Sequence, residues 1–296
     1  MVNAEPTLAQ LRGEIDAIDD QLLGLLMRRA EVALAIGATK NAHDPKGPAM
    51  RPGREALVLR RLLAGRGGAL PKTVIVRLWR ELMGAVLRLQ GPFSVAVYAP
   101  PTHPGYWDLA RDHFGSLTPA SAHDTAQQVV NAVGAGRATV GVLPLPDGDD
   151  PQPWWPMMLA TDAVNPRIVA KLPFGAGDTV RGAPLESFAV APCICEPTGH
   201  DRSLLIVEAS GEISRSSVLA EGRSVGLEAG TIQSWRPPGE TQSWLHLIDV
   251  EGFLPTEDPR LAGFAARLGK ALGRIWPVGG YALPLSAAEL GLAGKG

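Results

Sequence analysis

Between Leu8 and Lys40 the apolar residues Leu11, Ile15, Ile18, Leu22, Leu25, Leu26, Val32 and Ile36 recur at three- and four-residue steps. That period is the stripe of an amphipathic helix. No proline interrupts the run, and its early glycine, Gly13, is tolerable. At 1.5 Å per residue the helix would be on the order of 50 Å long. Such a helix is too long to bury its stripe against the two shorter helices predicted next, so a second copy of the chain is expected to cover the remainder. The segment AHDPKGPAMRPG reads as a loop, followed by a short helix from Arg54 to about Leu63 and the break GRGG. A third helix is predicted from about Pro71, well suited to a helix start, to Leu89. Gly91-Pro92 stops it and marks a boundary. Residues 1–91 are therefore expected to form an all-α, intertwined bundle of three helices, one of them long.

From Phe93 the period changes. SVAVYAP reads as a short buried strand, GYWDLARDHFG as an amphipathic helix, and DTAQQVVNAVGAG leads into the apolar TVGVLPLP. Alternating strand and helix predict a small α/β domain over 92–200, with a partly parallel sheet. From Arg202 the order becomes strand (SLLIVEA), helix (SSVLAEGRSVG), strand (LEAGTIQSW), strand (TQSWLHLIDVEG), helix (DPRLAGFAARLGKALG) and strand (IWPVGGYAL). This βαββαβ order is ferredoxin-like and assigns residues 201–296 to a third domain. The tail AAELGLAGKG is expected to fray.

Composition narrows the function classes. The 296 residues carry a formal net charge of −2, so neither nucleic acid nor a polyanionic surface is indicated as a partner. Between Arg12 and Arg88, however, basic residues outnumber acidic ones, which suits a small anion. MVNAEPTLAQLRGEID has no basic region leading into an apolar stretch, so no secretory signal is expected. The apolar runs are too short and broken for a membrane span. Cys193 and Cys195 have no histidine at zinc spacing and are read as reduced thiols of a cytoplasmic protein. GAGRATVG lacks the Gly-Lys-Ser/Thr ending of a phosphate loop and precedes a strand.

Placing the helices on a 100° wheel brings out a polar set. Arg29 falls within about 20° of Ile18 and Leu22, and Lys40 lies eleven residues further on the same line. Arg12 lies about 100° from Arg29, so the two need not serve one pocket of one subunit. Glu55 shares a face with Leu59 and Leu62, and Gln90 aligns with Trp79 and Met83. Inward Arg, Lys, Glu and Gln cost several kcal/mol each, on the order of an ion's desolvation, unless paired. Together they suggest a prepared polar cavity for an anion. Read singly, Arg29 is more often a snorkelling side chain and Arg54-Glu55 a solvated surface pair.

LRGEIDAIDDQLLGLLMRRAEVALAIGATK, RPGRE and LWRELMGAVLRLQ, taken in order, resemble the all-helical chorismate mutases. The resemblance implies Arg12, Arg29, Lys40, Arg54, Glu55 and Gln90 as catalytic residues, chorismate and prephenate as substrate and product, and no cofactor. Arg29 and the partner's Arg12 would clamp the carboxylates, Lys40 and Gln90 would donate to the ether oxygen, and Glu55 would accept from the ring hydroxyl with Arg54 nearby. Arg51 departs from the family, which commonly has Asp there, and Val86 stands where Ser is frequent.

The remainder resembles the mutase–prephenate dehydratase fusions that end in an ACT regulatory domain. FSVAVYAPPTHPGYWDLARDHFG and TVGVLPLPDG are similar to dehydratase segments. Where the family continues with Glu-Asn-Ser, though, this chain has Leu145-Pro146-Asp147-Gly148. The Thr-Arg-Phe catalytic segment has only Asp201-Arg202-Ser203 as a candidate, so dehydratase activity is expected to be absent. TIQSWRP, with Gln233, Ser234, Trp235, Arg236 and Pro237, and LHLIDVEGF, with Asp249, Glu251 and Gly252, resemble ACT segments. They imply either a dimerising module or a sensor of an aromatic amino acid. The expectation is a homodimeric mutase joined through its long helix. A bifunctional mutase–dehydratase and a non-catalytic regulator binding an anionic aromatic acid are the alternatives.

Overall fold

The computed structural model describes residues 6–43, 50–65, 68–148, 150–159, 166–175, 185–211, 213–239 and 243–292, without the side chains of residues 40–43, 231 and 232. A helical region comes first and a mixed α/β region follows. Helix α1 runs Leu8–His43, α2 Pro52–Leu63 and α3 Lys72–Gln90. These match the predicted helices to within three residues at each end. The uninterrupted apolar period carries α1, proline opens α2, and Pro71 caps α3.

Among the described residues nine strands form one sheet in the order β2-β1-β3-β5-β4-β9-β6-β8-β7. Its first part contains β1 (Val95–Tyr98), β2 (Ala120–His123), β3 (Val140–Pro144), β4 (Arg167–Leu172) and β5 (Ser187–Ala191). Strand β1 pairs in parallel with β2 and β3, whereas β5 is antiparallel to both β3 and β4. Helix α4 (Gly105–Phe114) covers one face together with Leu87 of α3. Helix α5 (Ala126–Gly134) covers the other and opens on a capping box between Thr125 and Gln128.

The second part contains β6 (Asp201–Ser210), α6 (Arg215–Ser224), β7 (Ala229–Trp235), β8 (Ser243–Glu251), α7 (Pro259–Leu268) and β9 (Leu272–Ala282). Its strands are ordered β9-β6-β8-β7 and pair antiparallel throughout. This is the ferredoxin-like arrangement that the βαββαβ order predicts. Leu205, Val207, Ile248 and Val250 face α6 and α7, while Leu204, Ile206, Leu245 and Leu247 face Trp154 and Trp155. That alternation is the period-2 pattern of strands covered on both sides.

The two parts are continuous because β4 lies parallel to β9, in register at Ile168 and Gly279. A side chain at Gly279 would put its Cβ 2.1 Å from the Ile168 carbonyl oxygen. Only glycine lets the strands meet there.

The tail departs from the expected fraying up to Leu292. Leu285 and Leu290 are buried with Leu59, Val76 and Phe174, and Arg60 reaches both the Leu283 carbonyl oxygen (2.6 Å) and Glu289 (3.2 Å). Residues 293–296 lie outside the described residues. Cys193 and Cys195 are free thiols as expected, and burial pushes them up to about 12 and about 11. Among the described residues no helix is long and apolar enough to cross a membrane.

Helix α3 joins the helices to the sheet through Gly84, where a Cβ would lie 2.0 Å from the Phe114 carbonyl oxygen. Gly84→Ala is expected to destabilise the protein by about 2 kcal/mol or more, in the range of overpacked contacts. Thermal denaturation would show this as a fall of several degrees, and an unchanged Tm would contradict the contact.

Two histidines are held neutral by burial. His113 lies well below its ordinary range, with the Arg80 charge adding to the effect, and His246 lies at about 4. The unfolded chain binds these protons near pH 6.5 and the folded chain does not, so stability falls as pH drops from about 6.5 towards 4. Denaturant midpoints between pH 7 and 4.5 are expected to decline, with a shallower slope in His246→Asn. An equal slope in the variant would contradict this account.

Candidate active site

Arg29, Lys40 and Gln90 come to one stretch of α1. Gln90 closes α3 and donates from Nε2 to the Ala33 carbonyl oxygen at 2.9 Å. Gly37 makes room for it, since a Cβ there would lie 3.1 Å from Gln90 Cγ. Arg29 is half-buried one turn before Ala33. The backbone of Lys40 lies two turns after it, and its side chain is outside the described residues. Gln90 thus meets α1 between the half-buried Arg29 and the Lys40 position. The heptad-like spacing of the α3 apolar face brings Gln90 there.

Arg12 and Arg54 are exposed. Arg12 lies seventeen residues before Arg29 on the same helix, about 25 Å away. One chain therefore does not bring those two arginines into one pocket.

Glu55 points inward, as the wheel predicts. Its carboxylate takes a 2.8 Å salt bridge from Arg80 Nη1, with side-chain exposures of 16% for Glu55 and 5% for Arg80. Burial pushes the Glu55 carboxyl up and the Arg80 guanidinium down, and the attraction between them opposes both shifts. Arg80 and Gln90 are ten residues apart on α3, about 15 Å along its axis. Glu55 thus joins α2 to α3 ten residues before Gln90.

Arg80 is the buried charged residue that the wheel reading overlooked. Its signal is plain in the stripe Val76, Arg80, Met83 and Leu87, all buried at helical spacing. A cation in the middle of an apolar stripe needs a partner, and Glu55 is that partner.

The departure at Arg51 also has a structural counterpart. Arg51 donates to both carboxylate oxygens of Glu196, with Nε 3.0 Å from each, and Nη2 also contacts Glu196. Gly53 approaches the Glu196 carbonyl oxygen so closely that a Cβ would lie 2.8 Å from it. Arg51 thus fastens the start of α2 to the turn before β6. Val86 is half-buried on α3, and nothing in the structure explains its replacement of the usual hydroxyl.

In the ferredoxin-like part, Arg202 Nε donates to Asp249 at 2.6 Å and the Tyr281 hydroxyl donates to the same carboxylate at 3.0 Å. Asp201 accepts from the Thr198 and Gly199 backbone N–H groups. Trp235 donates to the Pro151 carbonyl oxygen, Ser234 pairs with His246 at 2.8 Å, and Arg236 stacks 4.4 Å over Trp244.

Residues 11–91 match the family described as Chorismate mutase type II. The bifunctional chorismate mutase/prephenate dehydratase of Pseudomonas aeruginosa is 33% identical over 141 residues, covering 47% of this chain and 38% of that protein. The one from Neisseria gonorrhoeae is 35% identical over 134 residues, covering 45% of this chain and 36% of that protein. The chain thus spans well under half the length of the curated relatives it matches. Among solved structures, the prephenate dehydratase of Streptococcus mutans is similar at a TM-score of 0.45 and 13% identity, over 65% of this chain and 98% of that one. A prephenate dehydratase from Arthrobacter aurescens in complex with L-Phe is similar at 0.44 and 15%, over 65% and 92%. The helical segment of this chain is thus the part that is similar to the chorismate mutase type II family.

Proposed function

We propose that this protein is a chorismate mutase of aromatic amino acid biosynthesis, rearranging chorismate to prephenate without a cofactor. The observation that carries the reading is the meeting of Gln90 with the Arg29–Lys40 section of α1, inside the segment that matches the mutase family. The reaction is unimolecular, so it needs neither nucleophile nor proton shuttle. The pocket has to hold a compact dianion and stabilise charge developing on the ether oxygen. Arg29 supplies a guanidinium fork for a carboxylate. Lys40 and Gln90 donate to the ether oxygen, Glu55 accepts from the ring hydroxyl, and Arg54 adds positive field.

Arg12 lies too far along α1 to join this set within one chain, so it acts on the pocket of a second copy. The same second copy covers the stripe of α1, where Ile18 (47%), Leu22 (51%) and Leu25 (68%) are open to water. Residues 1–91 then form an intertwined dimeric domain, and 92–200 a dehydratase-like lobe without dehydratase activity. Arg202, the nearest counterpart of the missing catalytic arginine, is occupied by Asp249. Residues 201–296 form an ACT-like module that dimerises or senses an aromatic amino acid. The setting is cytoplasmic.

Incubation with chorismate is expected to yield prephenate and no phenylpyruvate above background, with Arg29→Ala roughly a hundredfold slower, as loss of a charge-assisted contact implies. Phenylpyruvate would instead favour a bifunctional enzyme, and the absence of both products would favour a non-catalytic regulator. Addition of phenylalanine, tyrosine or tryptophan reads the sensor role in the same assay. Sedimentation is expected to give a dimer that Leu22→Asp converts towards monomer. A monomeric wild type that still turns over chorismate would contradict the shared pocket.

A further inference from the structure

Arg80 is only 4% exposed, and its guanidinium carbon lies 5.1 Å from the centre of the Phe174 ring. Phe174 follows β4 in the sheet region, is itself buried, and is fixed by its carbonyl oxygen, which accepts from the Leu285 N–H at 2.7 Å. The guanidinium is thus gripped on one side by a ring from outside the helical domain and reaches Glu55 on the other. Arg80 Nη1 uses Glu55 Oε2, leaving Oε1 as the second acceptor among the described residues. Among the described residues Arg80 Nε, itself buried, has no hydrogen-bond partner, so the guanidinium is not placed there to satisfy its own donors.

We propose that Arg80, seated on Phe174, is a positioning residue for Glu55. It holds that carboxylate in place and charged for the ring hydroxyl of the substrate, and so makes the mutase pocket depend on the domain that follows it. The inference rests on the mutase reading above. A buried ion pair is a poor stabiliser compared with apolar packing. Losing one member, though, leaves the other as an uncompensated buried charge, so Arg80 governs the protonation of Glu55. Among the described residues no other cation takes over this role. Arg60, also over Phe174, is committed to Glu289 and the Leu283 carbonyl oxygen. Arg54, in the same helical turn as Glu55, is exposed. His113 of α4, beside Arg80, is kept neutral by burial, and the Cys193 thiol near Glu55 is kept protonated by burial. Burial already pushes the Glu55 carboxyl upward with Arg80 present.

The test follows the Glu55 carboxyl by carbon NMR of protein labelled at glutamate, assigned with Glu55→Gln, alongside kcat/KM from pH 6 to 9. Wild type, Arg80→Lys and Arg80→Gln are compared. In Arg80→Gln the Glu55 midpoint is expected to move upward and kcat/KM to fall about tenfold at pH 7, recovering towards pH 9. Arg80→Lys keeps the charge and is expected to stay within about fivefold of wild type with an unmoved midpoint. A folded Arg80→Gln with wild-type midpoint and profile would overturn the proposal, as would a lysine variant as impaired as the glutamine one. If Arg80→Gln does not fold, Phe174→Leu decides. An upward midpoint supports the seat on the ring, and unchanged midpoint and kcat/KM refute it. Absence of prephenate from wild type would reject the mutase reading alone, because the NMR midpoint still reads Arg80's hold on Glu55.

Discussion

A guanidinium placed in the middle of an apolar helix face has to be neutralised where it lies, and Arg80 meets that demand with groups from two regions. Glu55 comes from α2, and the Phe174 ring comes from the sheet region. The contact fixes how α2 and α3 lie on each other and how both lie on the sheet. The surrounding joints follow the same line. Glu81 accepts from the Ser116 N–H and hydroxyl, Gly84 touches the Phe114 backbone, and Arg51 grips Glu196. The helical domain is therefore not a free bundle on a linker. Its second and third helices are built into the end of the sheet, while α1 alone stands out from it with an uncovered apolar stripe.

This division of labour bears on the proposed catalysis. The part of the proposed pocket on α1, with Arg29, the Lys40 position and Gln90, depends on the α1–α3 contact, where Gly37 leaves room for the Gln90 side chain. The part on α2, with Arg54 and Glu55, depends on groups from the sheet region. A second copy of α1 is the proposed source of the remaining arginine, Arg12, at the far end of the helix.

The large periodic elements were legible in the sequence. Helix α1 follows from an apolar period unbroken by proline, and the ferredoxin-like order follows from the alternation of strand runs such as SLLIVEA with amphipathic helices. Strand β2, with the sequence ASAH, carries no apolar alternation and exists because β1 offers it a parallel edge. The union of β4 and β9 was equally invisible, because it rests on a backbone approach at Gly279 between residues over a hundred positions apart.

Of the candidate site, the inward aim of Glu55 and the facing of Gln90 were readable from the helical wheel. What Glu55 meets was not, because Arg80 belongs to a stripe whose importance appears only when burial is known. The docking of the tail through Leu285, Glu289 and Leu290 was missed for a similar reason. Its composition is that of a fraying end, and only the groove between α2 and Phe174 gives those side chains a place.

The central claim is that this chain builds a pocket complementary to the compact, charge-separating geometry of the rearrangement. Calorimetric titration with a bicyclic dicarboxylate that imitates that geometry tests it most directly, since a catalytic pocket binds such a mimic more tightly than the substrate. The account predicts one site per chain, competition with chorismate, and loss of binding in Arg29→Ala. Absence of binding by the folded wild-type protein, or binding indifferent to Arg29, would contradict it.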